Sequence, residues 1–223
     1  TATQCLAVGH QALKTNLIGT SNTAVGYGAL RLSTSSGNTA LGASVLYNNS
    51  TGANNTSVGV LSLFTNTSGA ACTAMGQQTL YNNTIGIENS AFGCQAMINN
   101  LSGSQNSTLG ISSLGALTTG NYNTALGYGA GGVLTTGSNN IMLGALSRAQ
   151  ALGDSNCIVL GYNTIGNGSN TFTVSTNSIL AGTTSYILYY NIATGSITYG
   201  SSSGGGGSTT SLDCVFRVQN TAT

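Results

Sequence analysis

Few residues in this chain have the chemistry for acid–base or metal work. The carboxylates are Glu88, Asp154 and Asp213, the only histidine is His10 and the only lysine is Lys14. Paired-carboxylate catalysis needs two carboxyl groups about 5–9.5 Å apart, and no two of these three share a column or a local motif. His10 has no histidine partner and reads as a surface side chain. Gly26-Tyr27-Gly28 and Gly127-Tyr128-Gly129 lack a following helix whose N-terminus could hold a phosphate. The expectation is a chain that is not an enzyme and carries no cofactor or metal.

What positions these residues is a repeat. Marker glycines fall at Gly9, Gly26, Gly42, Gly59, Gly76, Gly93, Gly110, Gly127, Gly144 and Gly161, at intervals of 17 with a single step of 16. Immediately before the markers stand Val8, Val25, Leu41, Val58, Met75, Phe92, Leu109, Leu126, Leu143 and Leu160. One position earlier the first eight copies carry a small residue, including Ala24, Ala40, Ala74, Ala91 and Ala125. Four residues after the marker come Leu13, Leu30, Leu46, Leu63, Leu80, Met97 and Leu114, a column broken at Gly131 and Arg148. A 17-residue period is too short for a helix-pair repeat. It suits a coil of two short strands and two turns, with stacked coils sharing one core. The fold class read from this is all-β: a parallel β-solenoid of ten coils over residues 1–170.

Composition agrees. Charged residues are 3% of the chain, proline is absent and the formal net charge is +1. Low charge can mean disorder, but a disordered tract would not hold an apolar column through ten periods. The charge gives no electrostatic case for nucleic acid or an anionic membrane. No stretch approaches the roughly 20 apolar residues of a membrane span. Thr1-Ala2-Thr3-Gln4 is not a signal peptide, and the chain opens partway through a repeat, so a segment of something longer is expected.

After the repeats, Thr171-Phe172-Thr173-Val174 alternates like a strand, opening a separate segment over 171–200. Ser185–Asn191 and Ser196–Tyr199, joined through Ala193-Thr194-Gly195, read as a β-hairpin. Residues 201–210 have a flexible-linker composition, and 211–223 form a last strand or tail.

Alternation along Thr124-Ala125-Leu126 sends threonine and leucine to one face and alanine to the other. With the leucines taken as the core ladder (Val25, Leu41, Val58, Met75, Phe92, Leu109, Leu126, Leu143, Leu160), the alanines Ala24, Ala40, Ala74, Ala91 and Ala125 form an outer strip. Small residues in register suit close approach of another backbone, so the strip is expected between chains of a homo-oligomer. The markers Gly26 through Gly161 serve as turn glycines.

The pattern Asn-Thr-Ala-Leu-Gly-Tyr-Gly-Ala-Leu, nearly whole at Asn22–Leu30 and Asn123–Ala130, resembles the head repeats of trimeric autotransporter adhesins. It is more similar still to the longer repeats of bacteriophage and giant-virus tail fibres. Leu188-Tyr189-Tyr190-Asn191 with Thr194-Gly195 and Ile197-Thr198-Tyr199 resembles the hairpin that precedes the C-terminal intramolecular chaperone of many such fibres. The resemblance covers about residues 5–200. It implies a left-handed β-roll, three chains around one axis, and an exposed fibre or adhesin at a cell or virion surface. The expected partners are the chain itself, as a homotrimer or end-to-end fibre, and a host-surface glycan or protein receptor. Adhesin heads repeat at a shorter period, so the turns here are longer.

Cys5, Cys72 and Cys157 occupy a column otherwise held by asparagine, several coils apart, and cannot pair within one chain. Cys72 and Cys94 are in adjacent coils but out of register, so buried free thiols are expected. Asn48, Asn49, Asn54, Asn55, Asn66, Asn82, Asn100, Asn106 and Asn167 satisfy the glycosylation triplet. The column Thr23, Thr39, Thr56, Thr73, Ser90, Ser107, Thr124 resembles the ice-binding face of some antifreeze proteins. Alternation, with leucine inside, places it inward, which makes ice binding the alternative to the fibre.

Overall fold

The computed structural model describes residues 3–175 and the backbone of two further strands, 186–191 and 196–201. Eleven three-residue strands form one parallel sheet in sequence order: β1 Leu6–Val8, β2 Thr23–Val25, β3 Thr39–Leu41, β4 Thr56–Val58, β5 Thr73–Met75, β6 Ser90–Phe92, β7 Ser107–Leu109, β8 Thr124–Leu126, β9 Ile141–Leu143, β10 Ile158–Leu160 and β11 Phe172–Val174. Equivalent positions pair throughout, as in Ala24 with Ala40 and Ala125 with Met142. The fold is the β-solenoid that the glycine period predicts.

Three features differ from the sequence reading. Each coil has one strand, not two, because the return side is a run of turns rich in left-handed residues. Leu63, Leu80, Met97 and Leu114 all have φ near +50°, so that side cannot be extended. Second, Phe172–Val174 belongs to the solenoid. It pairs with β10 after a step of only 14 residues, from Ile158 to Phe172, and the first compact unit runs to Ser175.

The third difference concerns which face is inside. Ala24, Ala40, Ala74, Ala91 and Ala125 are buried, whereas Leu41, Met75, Leu109 and Leu126 are exposed and Val25, Val58, Phe92, Leu143 and Leu160 are only partly covered. The core ladder and the outer strip therefore exchange places. The cause is the leucine column four residues after each marker, whose members from Leu30 to Leu114 are fully buried. These side chains fill the narrow lumen from the return side and leave room opposite for little more than a methyl group.

Two further patterns show that the columns face one another. Where the leucine column gives way to Gly131, the strand residue is Met142, and a Cβ on Gly131 would lie 3.7 Å from Met142 Cγ. Val159 likewise fills space beside Gly166. Where the strand centre carries a hydroxyl, so does the return side: Ser57 Oγ donates to Ser62 Oγ at 2.7 Å, and Thr108 bonds Ser113.

Asparagine ladders close the two ends of the coil section. Asn123 N–H donates to Asn106 Oδ1 at 2.9 Å, while Asn123 Nδ2 reaches Gly137 O at 2.9 Å. In the second ladder Asn66, Asn83 and Asn100 each donate Nδ2 to the preceding Oδ1 at 2.7–2.9 Å. It stops at Leu117, which has no donor to offer, so Asn100 Oδ1 is buried without a partner. The one 16-residue step is absorbed in this ladder's turn, where Ser33 and Ser35 bridge to each other at 3.0 Å in place of an asparagine and a glycine.

The second unit, residues 176–223, contains an antiparallel pair, β12 Tyr186–Asn191 with β13 Ser196–Ser201. This is the hairpin expected from the alternation. Its turn, the linker over 202–210 and the tail over 211–223 lie outside the described residues.

Candidate interaction face

Since the strand centres point inward, their neighbours point out. One outward column runs Leu6, Thr23, Thr39, Thr56, Thr73, Ser90, Ser107, Thr124, Ile141, Ile158, Phe172. Beside it runs Val8, Val25, Leu41, Val58, Met75, Phe92, Leu109, Leu126, Leu143, Leu160, Val174. The residues just after the markers extend the same face, and Tyr27, Val60, Ile111, Tyr128 and Tyr162 there are all exposed. Most of the exposed large apolar side chains of the described residues fall on these three columns, with Leu109 at 54% and Leu126 at 47%. A contiguous apolar surface of this length is unusual on a protein that works alone in water. The threonine column, expected inside, lies on this face, with Thr39, Thr56, Ser107 and Thr124 exposed.

The titratable residues stay apart. Glu88 is exposed and accepts from Gln105 Nε2 at 2.9 Å. Asp154 closes a turn by accepting from the Ala151 N–H at 2.7 Å. His10 stacks on Tyr27 with ring centroids 5.5 Å apart. Asp213 lies outside the described residues. Among the described residues no three histidine, cysteine, aspartate or glutamate side chains cluster as metal ligands, and no described helix is long and apolar enough to cross a membrane.

Of the residues matching the glycosylation triplet, Asn49, Asn55, Asn66, Asn100 and Asn106 are buried ladder members. In the folded chain only Asn48, Asn54, Asn82 and Asn167 reach the surface. The triplets are thus largely a by-product of a turn chemistry that needs asparagine followed by hydroxyl residues.

Cys5, Cys72, Cys94 and Cys157 are free. Cys72 holds an asparagine position in the first ladder. Its N–H donates to Asn55 Oδ1 at 2.9 Å and its thiol to Gly86 O at 3.4 Å. Burial pushes this thiol from 9.0 up to about 11, against hydrogen bonds from Asn89 that favour the thiolate. Between those values the unfolded chain loses a proton that the folded chain retains, so stability falls as pH rises through that window. We expect a loss of about 2–3 kcal/mol across it. Cys72→Asn should abolish that part of the alkaline decline and raise the melting temperature at neutral pH, by restoring the ladder's amide donor. Thermal melts of both chains at pH steps across the window check this.

No family model, no curated protein and no solved structure matches this chain.

Proposed function

We propose that the chain is a section of a trimeric attachment fibre, extracellular or on a virion surface, in which three copies bury the outward face of the sheet against one another. The observation that carries this reading is the apolar strip of Val8, Leu41, Met75, Leu109 and Leu126, exposed on one face of a single chain. Fully burying an exposed leucine contributes about 1.5–3 kcal/mol, and these half-exposed side chains would each gain roughly half of that, repeated in every coil. The column immediately before the markers replaces the alanine column as the surface between chains. The remainder of each coil, nearly uncharged and closed by backbone ladders, faces outward and presents three copies of any binding surface at once. Attachment through such a rod gains from multivalency, without strong single contacts. No catalytic step is assigned to it.

The solution mass tests the reading. A mass near three times 22.2 kDa is expected with and without reductant. Leu109→Glu/Leu126→Glu should give a folded monomer, because both side chains lie outside the single-chain core. A wild-type monomer would sink the reading.

The outward threonines favour a second use of the same face, ice binding. Their coil-to-coil spacing of about 4.8 Å gives a regular file of hydroxyl and methyl groups beside the aliphatic file. The two uses exclude each other, since a face buried between chains cannot meet ice. Thermal hysteresis from a monomeric chain would favour ice, and its absence from a trimer would favour the fibre.

A further inference from the structure

The column five residues after each marker, on the return side away from the sheet, reads Lys14, Arg31, Tyr47, Phe64, Tyr81. The rings of Tyr47 and Phe64 stack at 5.4 Å and those of Phe64 and Tyr81 at 5.3 Å, with 25° and 9° between planes. The Arg31 guanidinium caps the stack, 5.1 Å from the Tyr47 centroid, and its Nε donates to Gln11 Oε1 at 2.7 Å. Stacking along the coil axis leaves ring edges, not faces, toward solvent, and the edge of an aromatic ring carries the positive end of its quadrupole. Lys14, one coil before Arg31, is exposed.

These two cations are adjacent in a chain with 3% charged residues, and neither Glu88 nor Asp154 lies in their column. Amide side chains follow the two tyrosines in sequence, Asn48 and Asn82, and Asn82 Nδ2 donates to Asn99 Oδ1 at 3.3 Å. The strip thus presents ring edges and amides, with its full charges at one end.

We propose that this strip binds an acidic glycan. A sugar carboxylate sits between Lys14 and Arg31, and the oxygen-rich body of the saccharide lies along the ring edges and amides from Tyr47 to Tyr81. The amide and hydroxyl groups along the strip suit a ligand hydroxylated along its whole length and favour a saccharide over an acidic peptide. The inference deepens the attachment reading and rests on it, since the sheet face is then left for assembly.

The test is equilibrium binding of the full chain to three immobilised polymers: polygalacturonate, neutral dextran and poly-glutamate. Polygalacturonate alone should bind, and about 0.5 M salt should weaken it because surface charges are then screened within a few ångströms. Lys14→Gln/Arg31→Gln should weaken it about tenfold, the equivalent of roughly 1.4 kcal/mol, and Tyr81→Ser severalfold. Both variants should keep the solution mass of the parent, and both should remain folded at the temperature of the binding assay, with Tyr81→Ser melting lower because it loses its stacking on Phe64. Equal binding to dextran or to poly-glutamate, indifference to the double substitution, or no binding by an intact chain would each overturn the proposal. Failure of the fibre reading shows separately, as a monomeric mass.

Discussion

Gly110→Ala should abolish folding of the central coils, with a loss of about 4 kcal/mol or more. Large single-residue losses come from a short list of causes, and two of them coincide here. The residue has φ +148°, outside the range an alanine adopts readily, and a Cβ would stand 2.2 Å from the carbonyl oxygen of Gly127 in the next coil. That oxygen cannot retreat, because the Gly127 N–H is bonded to Leu109 O at 2.8 Å and strand β8 is held in register on both sides. Denaturant unfolding followed by circular dichroism measures the effect. A loss below about 1 kcal/mol, the scale of a surface Gly→Ala change, would mean that the coils are not packed as described.

The second large effect concerns the lumen. Ala91→Leu should cost about 3 kcal/mol, the upper range for overpacking a filled interior, because Ala91 is fully buried in one core cluster with Leu80 and Met97. A leucine on the outside of a solenoid would cost almost nothing, so this substitution separates the two orientations of the strand. The coil around Gly131 supplies the converse. Gly131→Leu alone should be destabilising, since its Cβ would already lie 2.6 Å from Leu114 Cδ2 and the lumen there is occupied by Met142. Adding Met142→Ala should recover part of the loss, a coupling that a double-mutant cycle reads directly. Additivity of the two changes would show that the columns do not share a cavity.

The same lumen explains what the sequence disclosed and what it concealed. The glycine period was legible because each marker answers a backbone demand made by the next coil. The short strands were legible because Thr-Ala-Leu alternates. Which side of the alternation faced inward was not, because two aliphatic columns compete for one core. Ranking side chains by size sent Leu126 inside and Ala125 outside. The deciding signal was present all the same. The small column fails at Met142 and Val159, next to the coils where the leucine column fails at Gly131 and Arg148. Such compensation is visible only when residues of one coil are compared across its interior, not down its length. The second strand was expected from the length of the coil, and it failed because Leu63 and its equivalents adopt left-handed backbone angles that aliphatic residues seldom take. Of the thiols expected to be buried, Cys72 and Cys157 are, while Cys5 and Cys94 are only partly covered; Cys5 shares the asparagine column but lies in the first coil, which has no coil before it to cover it.

The direction of the backbone hydrogen bonds has a mechanical consequence. They run from coil to coil, as Gly127 N–H to Leu109 O at 2.8 Å and Thr124 N–H to Asn140 O at 2.8 Å, so a pull on the two ends of the repeat array loads them in tension, one layer after another. Each layer that parts frees 17 residues, about 56–61 Å of extended chain, where roughly 4.8 Å had been. A tether of this design lengthens in fixed increments and dissipates work at every step, while the layers not yet reached keep their shape.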